Sequence, residues 1–147
     1  MALKTRTYDK VKWINVWDPA ISKTWTDNYL AEYKTSWPDI RSEIEPVCNE
    51  GEEASAFYLR SLTAGQLHKV DRLAGLEKIV EIVSYGVCSW ENLYDGEKLK
   101  KAQFTSDDLG PRLNSECVEF LGFFGFVDLS LLQILAIQIM QLSRALK

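Results

Sequence analysis

The chain has 147 residues but only one histidine and three cysteines, two methionines and four prolines. His68, the lone imidazole, falls on the polar side of a helical stretch beside Lys69, where a surface residue is expected rather than a general base. Cys48, Cys88 and Cys117 are widely spaced and form no CxxC pair. Buried reduced thiols are expected from them, not a metal site. No glycine-rich phosphate loop is present, so most familiar catalytic constellations are excluded or unsupported. A basic excess is also lacking, because the net charge is −4, and this argues against a nucleic-acid stripe. The opening MALKTRTYDK lacks the apolar core of a signal peptide, which with the odd cysteine count points to a cytosolic setting.

What remains is an ordinary globular composition, 46% hydrophobic and 26% charged. A chain of this length suits one domain that buries roughly two thirds of its unfolded surface. The expected fold is α+β, mostly helical, with short strands and a long C-terminal apolar helix. Its single domain (1–147) divides into an N-terminal strand with aromatic helices (1–47), a central strand–helix–helix–turn (56–96) and a C-terminal helical part (105–147).

Residues 10–17 alternate loosely among β-branched and aromatic side chains, which predicts a strand broken at Asp18-Pro19. Trp25, Tyr29, Tyr33 and Trp37 recur every fourth residue, as a ridge on a helix over 24–35. A second helix over 38–46 follows from Pro38 and Asp39. The ridge suits an interface, though large aromatics at this spacing more often face a core. Glu50-Gly51-Glu52-Glu53 reads as an acidic loop, and the lysines among residues 97–101 as a solvated loop or charged edge strand.

Residues 57–96 are the most informative stretch. Phe57, Leu59 and Ser61 alternate with Tyr58, Arg60 and Leu62 as in a short strand. Thr63 and Gln66 then match a capping box. Leu67, Val70 and Leu73 carry a helix over 64–74, with Gly75 expected to end it. From Leu76 the apolar pattern restarts through Ile79, Val80, Val83 and Val87, predicting a helix over 76–87. A Trp90-bearing turn follows, and Asp95-Gly96 signals a two-residue turn. Glu43, Glu45, Asp71, Glu77 and Glu81 all fall on solvent faces, so no paired carboxylates are expected.

In the C-terminal third, Thr105-Ser106-Asp107-Asp108 resembles a cap for a short helix stopped by Gly110-Pro111. Residues 115–123 read as helical, and the glycines and phenylalanines of 122–126 as a hinge. Asp128 is placed to cap a final helix over 129–145. Leu131, Leu132, Leu135, Ile139, Leu142 and Leu146 fall within a stripe roughly 100° wide, with Ile134 and Ile137 on the far side among Gln133, Gln138 and Gln141. Two apolar faces imply either a partner surface or an unusually central helix. The partner-binding residues expected on this basis are Phe123, Phe124, Phe126, Ile134, Ile137 and Met140. The expected core joins Leu67, Val70, Val80, Val83, Trp90, Leu132, Leu135 and Ile139. Residues 120–140 have the length of a membrane span, but Asp128 near the middle costs roughly 3 kcal/mol on insertion scales.

The Leu62-Thr63 lead-in, Tyr85-Gly86-Val87, Trp90-Glu91-Asn92 with Asp95-Gly96, and a C-terminal Gln-Leu-Ser helix ending near LSRAL together resemble bacteriophage tail assembly chaperones. The resemblance covers residues 56–96 and 129–146, about half of the chain. It implies a non-enzymatic protein, without cofactor or metal, that works in the host cytoplasm. Such proteins hold the aggregation-prone tape-measure protein and recruit tail-tube subunits, sometimes as oligomers. The alternative is a minor virion component of the neck, connector or capsid.

Overall fold

The computed structural model describes residues 10–33, 44–126 and 129–144, without the side chains of Tyr33 and Phe126. Strand β1 (Val11–Ile14) follows the alternation around Trp13, and helix α1 (Lys23–Tyr33) follows the break at Pro19. The acidic loop then leads into β2 (Ala56–Leu59), where Phe57 and Leu59 are buried and Tyr58 is half-buried. The expected helix over 38–46 lies mostly outside the described residues, and residues 44–47 within them are irregular.

Thr63 opens helix α2 (Ala64–Asp71) with a complete capping box. The Gln66 amide donates to Thr63 Oγ1 at 3.2 Å, and the Thr63 amide donates to Gln66 Oε1 at 3.0 Å. The helix closes at Arg72, earlier than the apolar spacing suggests. Gly75 does not end it. That glycine instead starts α3 (Gly75–Gly86) at φ +63°, a conformation that side chains disfavour.

Helix α3 gives way at Val87 to β3 (Val87–Glu91), so Val87 and Trp90 belong to a strand, not to a helix end and a turn. β2 lies at the centre of an antiparallel sheet ordered β1-β2-β3. Its register sets Trp13 opposite Phe57 and Phe57 opposite Trp90. The three rings form one row, with centroids 6.1 and 6.3 Å apart. Tilted and edge-on aromatic pairs of this kind add stabilisation beyond their buried area.

Two hairpins follow. Strands β4 (Tyr94–Asp95) and β5 (Lys98–Leu99) pair around Gly96-Glu97, one residue later than the Asp95-Gly96 signal places the turn. The lysine-bearing segment is thus an exposed hairpin arm. Strands β6 (Phe104–Asp107) and β7 (Gly110–Leu113) replace the expected short helix. Here Asp107 Oδ1 accepts the Leu109 amide at 2.8 Å, two residues on, and Gly110 takes φ +114°. That local bond makes a turn rather than a helix cap.

Helix α4 (Ser115–Leu121) is capped by Asn114, whose Oδ1 accepts the Cys117 amide at 2.9 Å. Short strands β8 (Gly125–Phe126) and β9 (Leu129–Ser130) pair before α5 (Leu131–Arg144). Asp128 lies outside the described residues. A capping box does open α5, but from Ser130: its Oγ accepts the Gln133 amide at 3.3 Å, and its own amide donates to Gln133 Oε1 at 2.9 Å. The fold is therefore α+β, with five helices and several small antiparallel sheets among the described residues. The expectations of a mostly helical chain and a long apolar terminal helix are corrected: strands recur throughout, and α5 has 14 residues interrupted by glutamines.

One apolar cluster joins the sheet to α3, α4 and α5. Val70, Val83, Trp90, Leu132, Leu135 and Ile139 are buried in it as expected, while Leu67 and Val80 are half-buried against it. At 100° per residue the buried positions of α5 fill an arc of about 200°, twice the expected stripe. Ile134 and Gln138 lie inside that arc. Two devices hold the helix in place. The Ser143 hydroxyl donates to Ile139 O at 2.8 Å and accepts the Leu62 amide at 2.9 Å. On α3, a Cβ added to Gly86 would lie within 2.7 Å of three outer carbons of Ile139.

Gly86→Ala is accordingly expected to destabilise by about 1–3 kcal/mol despite a helix-propensity gain of roughly 1 kcal/mol. In that background Ile139→Ala should cost less than in the parent, a coupling that urea denaturation of all four proteins reads directly. Gln138 is fully buried, and neither end of its amide has a hydrogen-bond partner. Gln138→Met, which keeps the volume, should raise stability by about 1–3 kcal/mol, the cost of an unsatisfied buried polar group. A lower urea midpoint would show that the amide stabilises the core.

Candidate docking surface

Helix α3 presents three sectors, and each builds a different surface. Glu81 and Tyr85 face the β6–β7 hairpin and form a charged cluster. The Tyr85 hydroxyl donates to Asp107 Oδ2 and accepts from Lys69 Nζ at 3.0 Å. Arg112 reaches Asp107 at 3.1 Å and Glu81 at 3.0 Å, and Lys69 reaches Glu81 at 3.5 Å. Both cations also sit over the Tyr85 ring, at 5.3 and 5.1 Å from its centroid. The two positive and two negative charges cancel. Glu81 is thus an ion-pair partner, not a solvated carboxylate as its helix position suggested.

Hydrogen bonding from Tyr85, then from the Leu109 amide and Arg112, holds the Asp107 carboxyl down at about 2. Burial, reinforced by the hydrogen bond to Asp107, pushes the Tyr85 hydroxyl up. One group stays charged and the other stays protonated at neutral pH. The pair can clamp a hairpin but has no proton to exchange near neutrality. Arg60 completes the clamp by donating to Tyr85 O at 2.7 Å and to Pro111 O at 2.9 Å.

On the second sector, Leu76, Val80 and Ser84 form one wall of an open groove of about 660 Å³. Its other walls come from β7, α4 and the start of α5, with Leu113, Val118 and Leu132 among the apolar lining. Leu76 is 69% exposed and Phe123 78% exposed, the two largest apolar exposures on the described surface. Phe123 projects where α4 ends. Gly122 turns the chain there, with its amide bonded back to Glu119 and Val118.

The third sector faces α5. Lys78, Ile79 and Ile82 line a narrower groove of about 410 Å³ with Ala136, Ile137 and Met140. Ile137 is exposed and Met140 half-buried.

The expected partner-binding residues therefore separate. Phe123 borders the wider groove, and Ile137 and Met140 line the narrower one. Phe124 is half-buried, stacked edge-on against Phe120 at 5.3 Å. The Phe126 side chain lies outside the described residues. Ile134 is corrected outright: it is 1% exposed and belongs to the core, because α5 is covered over more than one face. Leu76, where the apolar pattern of α3 restarts, is exposed. Its place in the first turn of α3, beyond the reach of the sheet, leaves it uncovered. The aromatic ridge of α1 does not join the main core; Trp25 and Tyr29 stack at 5.1 Å and are half-buried. The Tyr33 side chain and Trp37 lie outside the described residues.

None of the three cysteines forms a disulfide, Cys117 is buried, and His68 is exposed. Among the described residues no helix is long and apolar enough to cross a membrane, and no group of His, Cys, Asp or Glu is arranged to hold a metal ion. Comparison with protein-family models, with curated proteins and with solved structures finds no match to this chain.

The depressed carboxyl pKa of Asp107 gives a pH prediction with a definite sign. A folded-state pKa below the ordinary value contributes stability that is present above pH about 4 and lost as the pH falls through about 2. The stability difference between the parent and Asp107→Asn should be constant above pH about 5 and shrink steadily between pH about 4 and 2. Denaturant melts across that range test this, and a difference that grows on acidification would contradict the assignment.

Proposed function

We propose that this chain is a non-enzymatic assembly protein of a tailed bacteriophage that binds tail proteins through apolar helix faces, as a chaperone does. The observation that carries the reading is the wide groove between α3 and α4. Leu76 and Phe123 stand exposed at its margin over an apolar floor, and none of the described residues covers them. Exposed aromatic and aliphatic anchors beside a preformed groove are what a helix or extended segment of a partner needs. The acidic loop and the net charge of −4 keep a protein with such a surface soluble. The resemblance of residues 56–96 and 129–146 to tail assembly chaperones supplies the partner class: the tape-measure or tail-tube protein, met in the host cytoplasm.

The reading has a direct test. Leu76→Asp with Phe123→Asp changes only exposed side chains, so the double variant should fold and melt within about 0.5 kcal/mol of the parent. Co-expressed with the phage tail proteins, the parent should keep the tape-measure protein soluble and the variant should not. A variant that works as well as the parent removes this groove from the function. Mass spectrometry of purified particles separates a chaperone, which leaves, from a minor virion component, which stays at fixed stoichiometry.

A further inference from the structure

We propose that the narrower groove between α3 and α5 is a second docking site, and that its occupant is an acidic amphipathic helix of another protein. The floor is apolar and open: Ile79, Ile82, Ala136, Ile137 and Met140, with Ile137 at the centre of the uncovered arc of α5. From Gln133 to Arg144 the lining runs three turns along α5, about 17 Å at 1.5 Å per residue. That shape suits a helix presenting apolar residues at i, i+3 or i+4, and i+7.

The charges at its margin decide the partner's chemistry. Lys78 from α3 and Arg144 from α5 line the groove, and none of its described lining residues is a carboxylate. Neither cation takes part in the ion pairs found among the described residues, which are confined to Lys69, Glu81, Asp107 and Arg112. Of the neighbouring carboxylates of α3, Glu81 is held by Lys69 and Arg112 in the hairpin cluster, and Glu77 is exposed and lines neither groove. On a chain of net charge −4, this is an apolar channel flanked by unneutralised positive charge. Arg144 in the last turn of α5 also complements that helix's dipole. The dipole gives no reason for Lys78, on a different helix, to line the same channel. Carboxylates flanking an apolar helical stripe would meet both cations, whereas a basic helix would be repelled. Met140 lets the floor adapt to the side chains it receives. The site stands independently of the wider groove and of the partner bound there.

The probes are two synthetic helical peptides of 14 residues with leucine on one face, one flanked by glutamates and its twin flanked by lysines. Fluorescence anisotropy with the full chain should show binding of the acidic peptide only, weakening as salt is raised. Lys78→Glu with Arg144→Glu should cut that affinity by about tenfold or more, and Ile137→Asp should abolish it, with circular dichroism unchanged in both. Equal binding of the lysine twin overturns the proposal, as does undiminished binding by the charge-reversed protein. Sedimentation that shows self-association lost in Ile137→Asp would also overturn it, by assigning the groove to a second copy of this chain. Failure of these peptides leaves the tail-protein test of Leu76 and Phe123 untouched, and the reverse also holds.

Discussion

The close approach of α3 to α5 at Gly86 is the constraint on which the rest of the structure depends. Without a Cβ at that position, Ile139 seats directly on the α3 backbone, and the two helices close over the sheet. The same residue is the junction where α3 becomes β3, and its carbonyl accepts the Arg60 amide at 2.9 Å. One glycine thus fixes helix against helix and helix against sheet. A side chain there would push Ile139 away and separate α5 from the strand that Arg60 follows. Because interiors pack at near-crystalline density, such a displacement cannot be absorbed locally.

Once α3 is held there, its remaining sides have distinct fates set by what the chain supplies next. The β6–β7 hairpin reaches the Tyr85 side and is fastened by charges that cancel within the cluster. Half-exposed ion pairs alone contribute little. This cluster gains from being a network around one buried aromatic ring, with backbone carbonyls of Tyr85 and Pro111 anchored by Arg60. Among the described residues no element arrives over Leu76 and Phe123, nor over Ile137. Both grooves are therefore consequences of the same arrangement: three faces of one helix, a single hairpin, and α5 wide enough to close only the centre.

Local signals were legible wherever both partners sat within a few residues of each other. The Thr63–Gln66 capping box is visible in sequence because its two hydrogen bonds span three residues, and the alternation around Trp13 and Phe57 gave both strands. The errors came from choices settled at longer range. Val87 and Trp90 fit a helix or a turn equally well until β2 offers a strand to pair with. Asp107 has the side chain of a helix cap, but Gly110, two residues past Asp108, permits a positive φ, and the hairpin wins. Ser130 with Gln133 carried the same capping signature as Thr63 with Gln66, yet Asp128 drew the boundary two residues early. For the candidate surfaces, periodicity found Ile137 and Met140 but not Lys78, since the groove exists only when two helices are brought side by side.

Ile134 and Gln138 show why a helical wheel cannot tell a docking face from a core face when a helix is covered from two directions. A stripe about 100° wide describes a helix lying on one layer. α5 packs against α3 and against α4, so the protected arc doubles and takes in positions that composition marks as outward. Gln138 carries the cost of that geometry as an amide with both ends unpaired inside the core. An apolar residue there would suit the core better, yet it would also add to the hydrophobic surface of the unfolded chain, in a protein that already exposes Leu76, Phe123 and Ile137 when folded. A polar residue inside the arc therefore weakens the core while restraining the unfolded chain's tendency to associate, a trade that makes sense in a protein whose folded surface is itself apolar in places.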